Sequence, residues 1–244
     1  MNRTDGFGPD ARRFLAELAE HNSREFFTAQ RERFDRELVE PMAALIDSLP
    51  ERHQPFRVVR MNRAVRFAPD KRPYKTQYAA IHSAGGAHLY LQVDAEGFLA
   101  GSGNYQFSAA QLDRYRAAVA DDGPGAQLAE IIGRLRRKRS LVIGAGGESP
   151  LRTTPRGYPG DHPRIDLLRL RGLVVSAEVD GDGLGRRAAL RRCAVQVFEA
   201  AAPLADWLTR HVGGADDHER GGDRGYRSRS RVVSGRSSGR GTRS

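Results

Sequence analysis

The sequence predicts an α+β fold with N-terminal helices, a central antiparallel or mixed sheet containing a hairpin, and a C-terminal helix pair. Three observations carry this expectation. Apolar residues recur at helical spacing up to about Pro50, the period shortens toward two between Phe56 and Phe107, and helical spacing returns from Ser108. Helices grouped on either side of a hairpin-rich middle argue against a doubly wound sheet, in which strands and helices alternate.

In the first segment Phe14, Leu15, Leu18, Phe26, Phe27, Phe34, Leu38, Met42, Leu45, Ile46 and Leu49 fall on the faces of amphipathic helices. Asn22 with Glu25 three positions on has the form of an N-cap and its partner. Pro41 either kinks the helix around it or opens another, because its ring removes a donor and crowds the preceding turn. In the middle segment the strand candidates are Phe56 to Val59, Val65 to Phe67 and His88 to Val93. Asp94-Ala95-Glu96-Gly97 then joins the last of these to Phe98-Leu99-Ala100 as a hairpin.

Ser108 with Gln111 predicts another capped helix start, followed by periodic residues through Leu135. Gly144 to Pro163, rich in Gly and Pro, reads as loop, with a short helix near Ile165 to Leu170 and a strand at Leu173 to Val179 after it. The closing helix pair runs from about Leu184 and resumes past Pro203 to Leu208.

Large apolar residues thin out after Val212, leaving only Tyr226, Val232 and Val233. That is too little surface to offset the entropy of ordering. The expected organisation is therefore a single domain over residues 1–212 and a disordered Arg/Gly/Ser-rich tail over 213–244. The lone Cys193 excludes an intramolecular disulfide and a cysteine-based zinc site. No apolar stretch approaches the roughly 20 residues needed to span a bilayer, so the expected location is cytoplasmic, with no membrane partner. No metal and no cofactor is expected.

The formal net charge is +10, and the tail contributes eight Arg against four carboxylates to it. Nucleic acid is therefore a candidate partner, chiefly through Arg227-Ser228-Arg229-Ser230-Arg231 in the tail.

Most of the chemistry sits between Arg63 and Thr76, where fourteen positions hold five cations, Asp70 and Tyr74. Pro69 and Pro73 stiffen the run, so charged side chains are held at fixed separations. An anion site is one reading: Arg63, Arg66, Lys71 and Lys75 as cations for a phosphate or carboxylate, with Asp70 orienting them or acting as a base. The other is a structural staple in which Asp70 pairs with Arg66 or Arg72 and Tyr74 packs over an arginine.

The pattern Arg63-x-x-Arg66-Phe67-x-x-Asp70-Lys71-x-Pro73-Tyr74-Lys75-Thr76 resembles the signature of the family catalogued as domain of unknown function 2461. His21 to Phe27, Gly101 to Arg116, and Pro155-Arg156-Gly157-Tyr158 with Asp161-His162-Pro163 fit the same family in the same order. The chain departs from the family pattern at Ala64, where relatives often carry an acidic residue. The resemblance implies one domain over roughly Phe7 to His211 and no particular reaction.

If the two polar loops meet, Tyr74, Arg156, Tyr158 and His162 join the cations of the first run in one pocket, with Asp70 and His162 as an acid/base pair. The expected function is thus a binding domain for a small anionic ligand, and an enzyme if Asp70 and His162 act as such a pair. A nucleic-acid-associated basic protein and a structural or interaction domain without ligand are the rivals. A concave pocket separates the first from a continuous basic stripe running on to Arg134 and Arg136 to Arg139.

Overall fold

The computed structural model describes residues 5–63 and 70–214. The strand candidate Val65 to Phe67 and almost all of the expected tail lie outside the described residues.

Helix α1 (Pro9–Glu20) starts at a proline and buries Ala11, Phe14, Leu15 and Leu18 on one stripe. In α2 (Arg24–Ala29) the cap is Ser23, whose Oγ accepts the Phe26 N–H at 3.1 Å, and not Asn22. Asn22 is drawn elsewhere, as described below. Helix α3 (Arg31–Phe34) passes through one wide turn at Asp35–Val39 into α4 (Glu40–Asp47). Pro41 therefore stands in the first turn of α4, the second of its two expected roles. The wide turn just ahead of it, closed by Glu40 N–H on Asp35 O, absorbs the ring that a regular turn would exclude.

Among the described residues six strands form one antiparallel sheet: β1 (Arg57–Val58), β2 (Tyr78–Ala84), β3 (Ala87–Val93), β4 (Gly97–Asn104), β5 (Val142–Gly144) and β6 (Leu173–Asp180). Their spatial order is β1-β2-β3-β4-β6-β5. Asp94 makes the β3–β4 turn by accepting the N–H groups of Glu96 and Gly97 through Oδ1. Strand β2, rich in alanine and poor in β-branched residues, is the element the sequence hides best.

Helix α5 (Ala109–Ala120) carries the expected Ser108–Gln111 capping box, and α6 (Asp122–Arg136) is capped by Asp121. After the short α7 (Ile165–Leu168) and β6, the chain ends in α8 (Arg187–His211), one continuous helix where a pair was expected. Pro203 costs α8 a hydrogen bond, a penalty of about 3 kcal/mol. The stripe Leu190, Ala194, Val197, Phe198, Ala201, Leu204, Trp207 and Leu208 is buried on both sides of Pro203, and that burial outweighs the local penalty.

Alternation within the strands sorts the sheet into two faces. Ala80, Leu91, Val93, Phe98, Ala100, Val175 and Ala177 face the helices and share one core with α1, α6 and α8. Trp207 lies in this layer and donates its Nε1–H to Pro124 O of α6 at 2.9 Å. The opposite face carries a separate small cluster of Val59, Ala79, Tyr90 and Leu99, with Ile81 against it. Of the described helices, none is long and apolar enough to cross a membrane.

Candidate functional site

The described ends of the run, at Asn62–Arg63 and Pro73–Lys75, pair as a narrow ribbon. Asn62 bridges Tyr74, Arg63 N–H reaches Pro73 O, and Lys75 N–H reaches Met61 O, the last two at 2.8 Å. Asp70 lies between two arginines: Arg63 Nη1 lies 2.6 Å and Arg72 Nη2 2.8 Å from Oδ2, while the Arg72 backbone N–H bonds Oδ1. The donors of Arg72, side chain before backbone, and then Arg63 hold this carboxyl well below the usual carboxylate range. A carboxylate so held is a weak base. The Asp70–Arg72 pair of the staple reading is present, and Arg63 is a further partner.

Tyr74 points inward. It is buried and stacks on Phe27 with ring centres 4.2 Å apart. Lys71 is exposed, and Lys75 is half-buried. Arg66 lies outside the described residues.

The loop of Pro155 to Pro163 has its own partners. Tyr158 packs against the main core, Arg156 is exposed, and His162 Nδ1 accepts the Arg164 N–H at 3.0 Å, a turn bond ahead of α7. Arg164 then ties this region to the end of α5, donating to Val119 O at 2.7 Å and to Ala120 O at 3.0 Å. The two loops that were expected to meet thus have separate anchors, one on Asn22 and Phe27 and the other on α5.

A cavity of about 110 Å³ lies on the sheet face turned away from the main core, and it draws Lys75 from the first loop and nothing from 155–163. Strand register builds it. Arg57, Ile81, Tyr90 and Gly101 stand opposite one another across β1, β2, β3 and β4 in one row. His88, Gly103 and Val174 stand in the next row. Val59 and Ala79 complete an apolar floor, and Tyr105, just beyond β4, forms a wall.

Tyr105 is held there by close packing. A Cβ on Gly146 would come within 2.0 Å of Tyr105 O and one on Gly147 within 2.4 Å of the Tyr105 ring, so the Gly-rich loop is a cradle for this residue.

The polar groups of the cavity are ordered by a short relay. Tyr90 Oη donates to Gln92 Oε1 at 3.0 Å, and Gln92 Nε2 donates to Asp94 Oδ2 at 2.9 Å. His88 Nδ1 lies 3.0 Å from Ser83 Oγ. Burial first, then the charges of His82 and Arg57, push the His88 imidazole below its ordinary pKa, so it is neutral at pH 7. Arg57 is exposed at the rim and makes no ion pair among the described residues.

Arg57, His88, Tyr90 and Tyr105 were not singled out from the sequence. The usable signal was the alternation of His88, Tyr90 and Gln92 with Leu89, Leu91 and Val93, which gives one strand a polar, aromatic face opposite its core face.

A second concavity of about 480 Å³ opens at the start of α1 beside Arg12, Arg13 and Asp182. Arg12 is engaged there with Ala95 O, and Asp182 adds a carboxylate to the lining, so it offers less to an anion. Among the described residues no group of His, Cys, Asp and Glu is arranged to hold a metal ion.

A family model described as Conserved hypothetical protein (DUF2461) matches residues 10–207, from α1 into α8. No curated protein and no solved structure matches the chain.

Proposed function

We propose, for a chain that belongs to the conserved hypothetical protein family DUF2461, that the domain binds a small anionic ligand on the face of the sheet turned away from the helices. The observation that carries this reading is Arg57, a cation without an ion pair among the described residues, standing at the rim of a cavity with an apolar floor. A guanidinium fork grips a carboxylate or phosphate in two bonds, and the attraction strengthens where apolar walls exclude water. Lys75 lines the same cavity and adds a second positive charge.

The basic segment at the end of α6, Arg134 and Arg136 to Arg139, lies beside β5 at the far edge of the sheet from Arg57. Five strand spacings, about 24 Å, separate the two edges. Cations at a helix C-terminus are also accounted for by the helix dipole. A pocket for a small anion therefore fits this charge distribution better than one basic stripe.

The test is a thermal-shift screen of carboxylates and phosphorylated compounds on the full chain and on Arg57→Gln and Lys75→Gln. Ligands that bind the folded state raise the melting temperature of the wild type, and both variants lose most of the shift. Equal shifts in all three proteins overturn the proposal.

A further inference from the structure

Gly101 lies in the middle of β4, a central strand, where a glycine weakens the sheet and needs a reason. Its neighbour Gly103 has one: φ is +129°, and an added Cβ would fall 2.2 Å from Leu173 O. Gly101 has neither constraint. Its φ is ordinary for a side chain, and an added Cβ would meet nothing closer than 3.6 Å. Neither backbone geometry nor packing demands glycine here, yet the missing side chain opens the floor of the cavity between Tyr90 and Ser176 in the register. A local departure from good strand chemistry without a structural cause marks a functional position.

The cavity as a whole has room for one ring. Its volume of about 110 Å³ is of the order of the roughly 150 Å³ apolar cavity that admits benzene. Tyr90 stands directly across from Gly101, and Tyr105 is cradled as a further wall, so aromatic faces border the gap. Arg57 lies in the same row, three strand spacings or about 14 Å away. An extended arginine and a ring bearing one anionic group together fill that span. Burial lowers the pKa of His88, so the positive charge at the cavity comes from Arg57 and Lys75.

Resting on the anion-binding reading above, we infer that the ligand is a monocyclic aromatic carboxylate, its ring lodged over Gly101 against Tyr90 and Tyr105 and its carboxylate turned to Arg57.

Calorimetric titration of the full chain with benzoate, acetate, benzyl alcohol and phenyl phosphate tests this, on the wild type and on Arg57→Gln, Gly101→Ala and Gly101→Val. Benzoate binds the wild type at least about tenfold more tightly than acetate or benzyl alcohol. Gly101→Val abolishes benzoate binding and Gly101→Ala weakens it severalfold, while Gly101→Ala melts no lower than wild type. Arg57→Gln reduces benzoate to the level of benzyl alcohol.

Acetate binding as tightly as benzoate overturns the ring and leaves the anion reading standing. Benzoate binding that survives Arg57→Gln overturns the anion reading. Phenyl phosphate binding more tightly than benzoate overturns the assignment to a carboxylate. Benzoate binding that is unchanged in Gly101→Ala, or absent from the wild type up to about 50 mM, overturns the inference as a whole.

Discussion

Asn22 holds Tyr74 by both of its backbone groups: Asn22 Oδ1 accepts the Tyr74 N–H at 2.8 Å, and Asn22 Nδ2 donates to Tyr74 O at 3.2 Å. The amide side chain thus imitates a neighbouring strand, and the same Nδ2 also reaches Leu18 O at the end of α1. Asn22 and Tyr74 come from two of the segments that carry the family resemblance, and this clamp, together with the Phe27–Tyr74 stack, is where those segments meet.

Removing the clamp strands a donor and an acceptor that are partly shielded from water. Asn22→Ala is expected to lower stability by about 1–3 kcal/mol in urea denaturation. Asn22→Asp keeps the acceptor for Tyr74 N–H and loses the donor, so its loss falls between wild type and Asn22→Ala. Equal losses in the two variants would show that only the donor side matters.

Gly146 has φ +74°, and a Cβ there would press on Tyr105 O at 2.0 Å. Gly146→Ala is therefore expected to cost about 1–3 kcal/mol from backbone strain alone and more from displacing Tyr105. Thermal denaturation checks the first effect, and loss of benzoate binding checks the second.

His53 is buried with its ring edge-on to Phe198, and its Nε2 has no hydrogen-bond partner among the described residues. Burial, then the charge of Arg52, hold its pKa below 6.5, with Glu199 opposing and His82 adding to the depression. A histidine with a depressed folded pKa contributes stability above its unfolded pKa and loses it as pH falls through the window below. The melting temperature is expected to drop as pH goes from about 6.5 to 5, and to drop less in His53→Phe. His88, depressed in the same direction, keeps part of the slope in that variant. Identical slopes in both proteins would count against His53 as a contributor.

Cys193 is buried in α8, and burial pushes its thiol up to about 11. A disulfide reagent is expected to leave it unmodified in the native chain at pH 8 and to modify it on addition of denaturant. Modification of the native chain at the denatured rate would contradict the packing of α8 against β4.

The helices and the hairpin were legible because their signals are local: Ser108 with Gln111, the Asp94 turn, the stripe from Leu190 to Leu208. The unbroken α8 was not, because Pro203 is a local stop that only tertiary burial overrides. Asn22 looked like a helix cap for the same reason: its spacing to Glu25 is local, and its engagement with Tyr74 spans 52 positions.

The candidate site divides likewise. Charge density drew attention to Arg63 to Lys75, yet Arg63, Asp70 and Arg72 satisfy one another there. The cavity depends on register across β1 to β4, which brings Arg57, Tyr90 and Gly101 into one row from dispersed positions. A residue whose contribution is an absent side chain, as at Gly101, leaves no positive mark in a sequence.

The placement of Trp207 sets what an optical experiment on this chain can see. It is the single tryptophan, fully buried between α8 and α6 on the helical side of the sheet. Its emission reports whether the helical layer is docked and shifts to the red when that layer opens. A ligand on the opposite face approaches Tyr90 and Tyr105 instead, so occupancy registers in the tyrosine band while the tryptophan band stays constant until the chain unfolds. Binding and melting can thus be read from one sample in two colours, without a label.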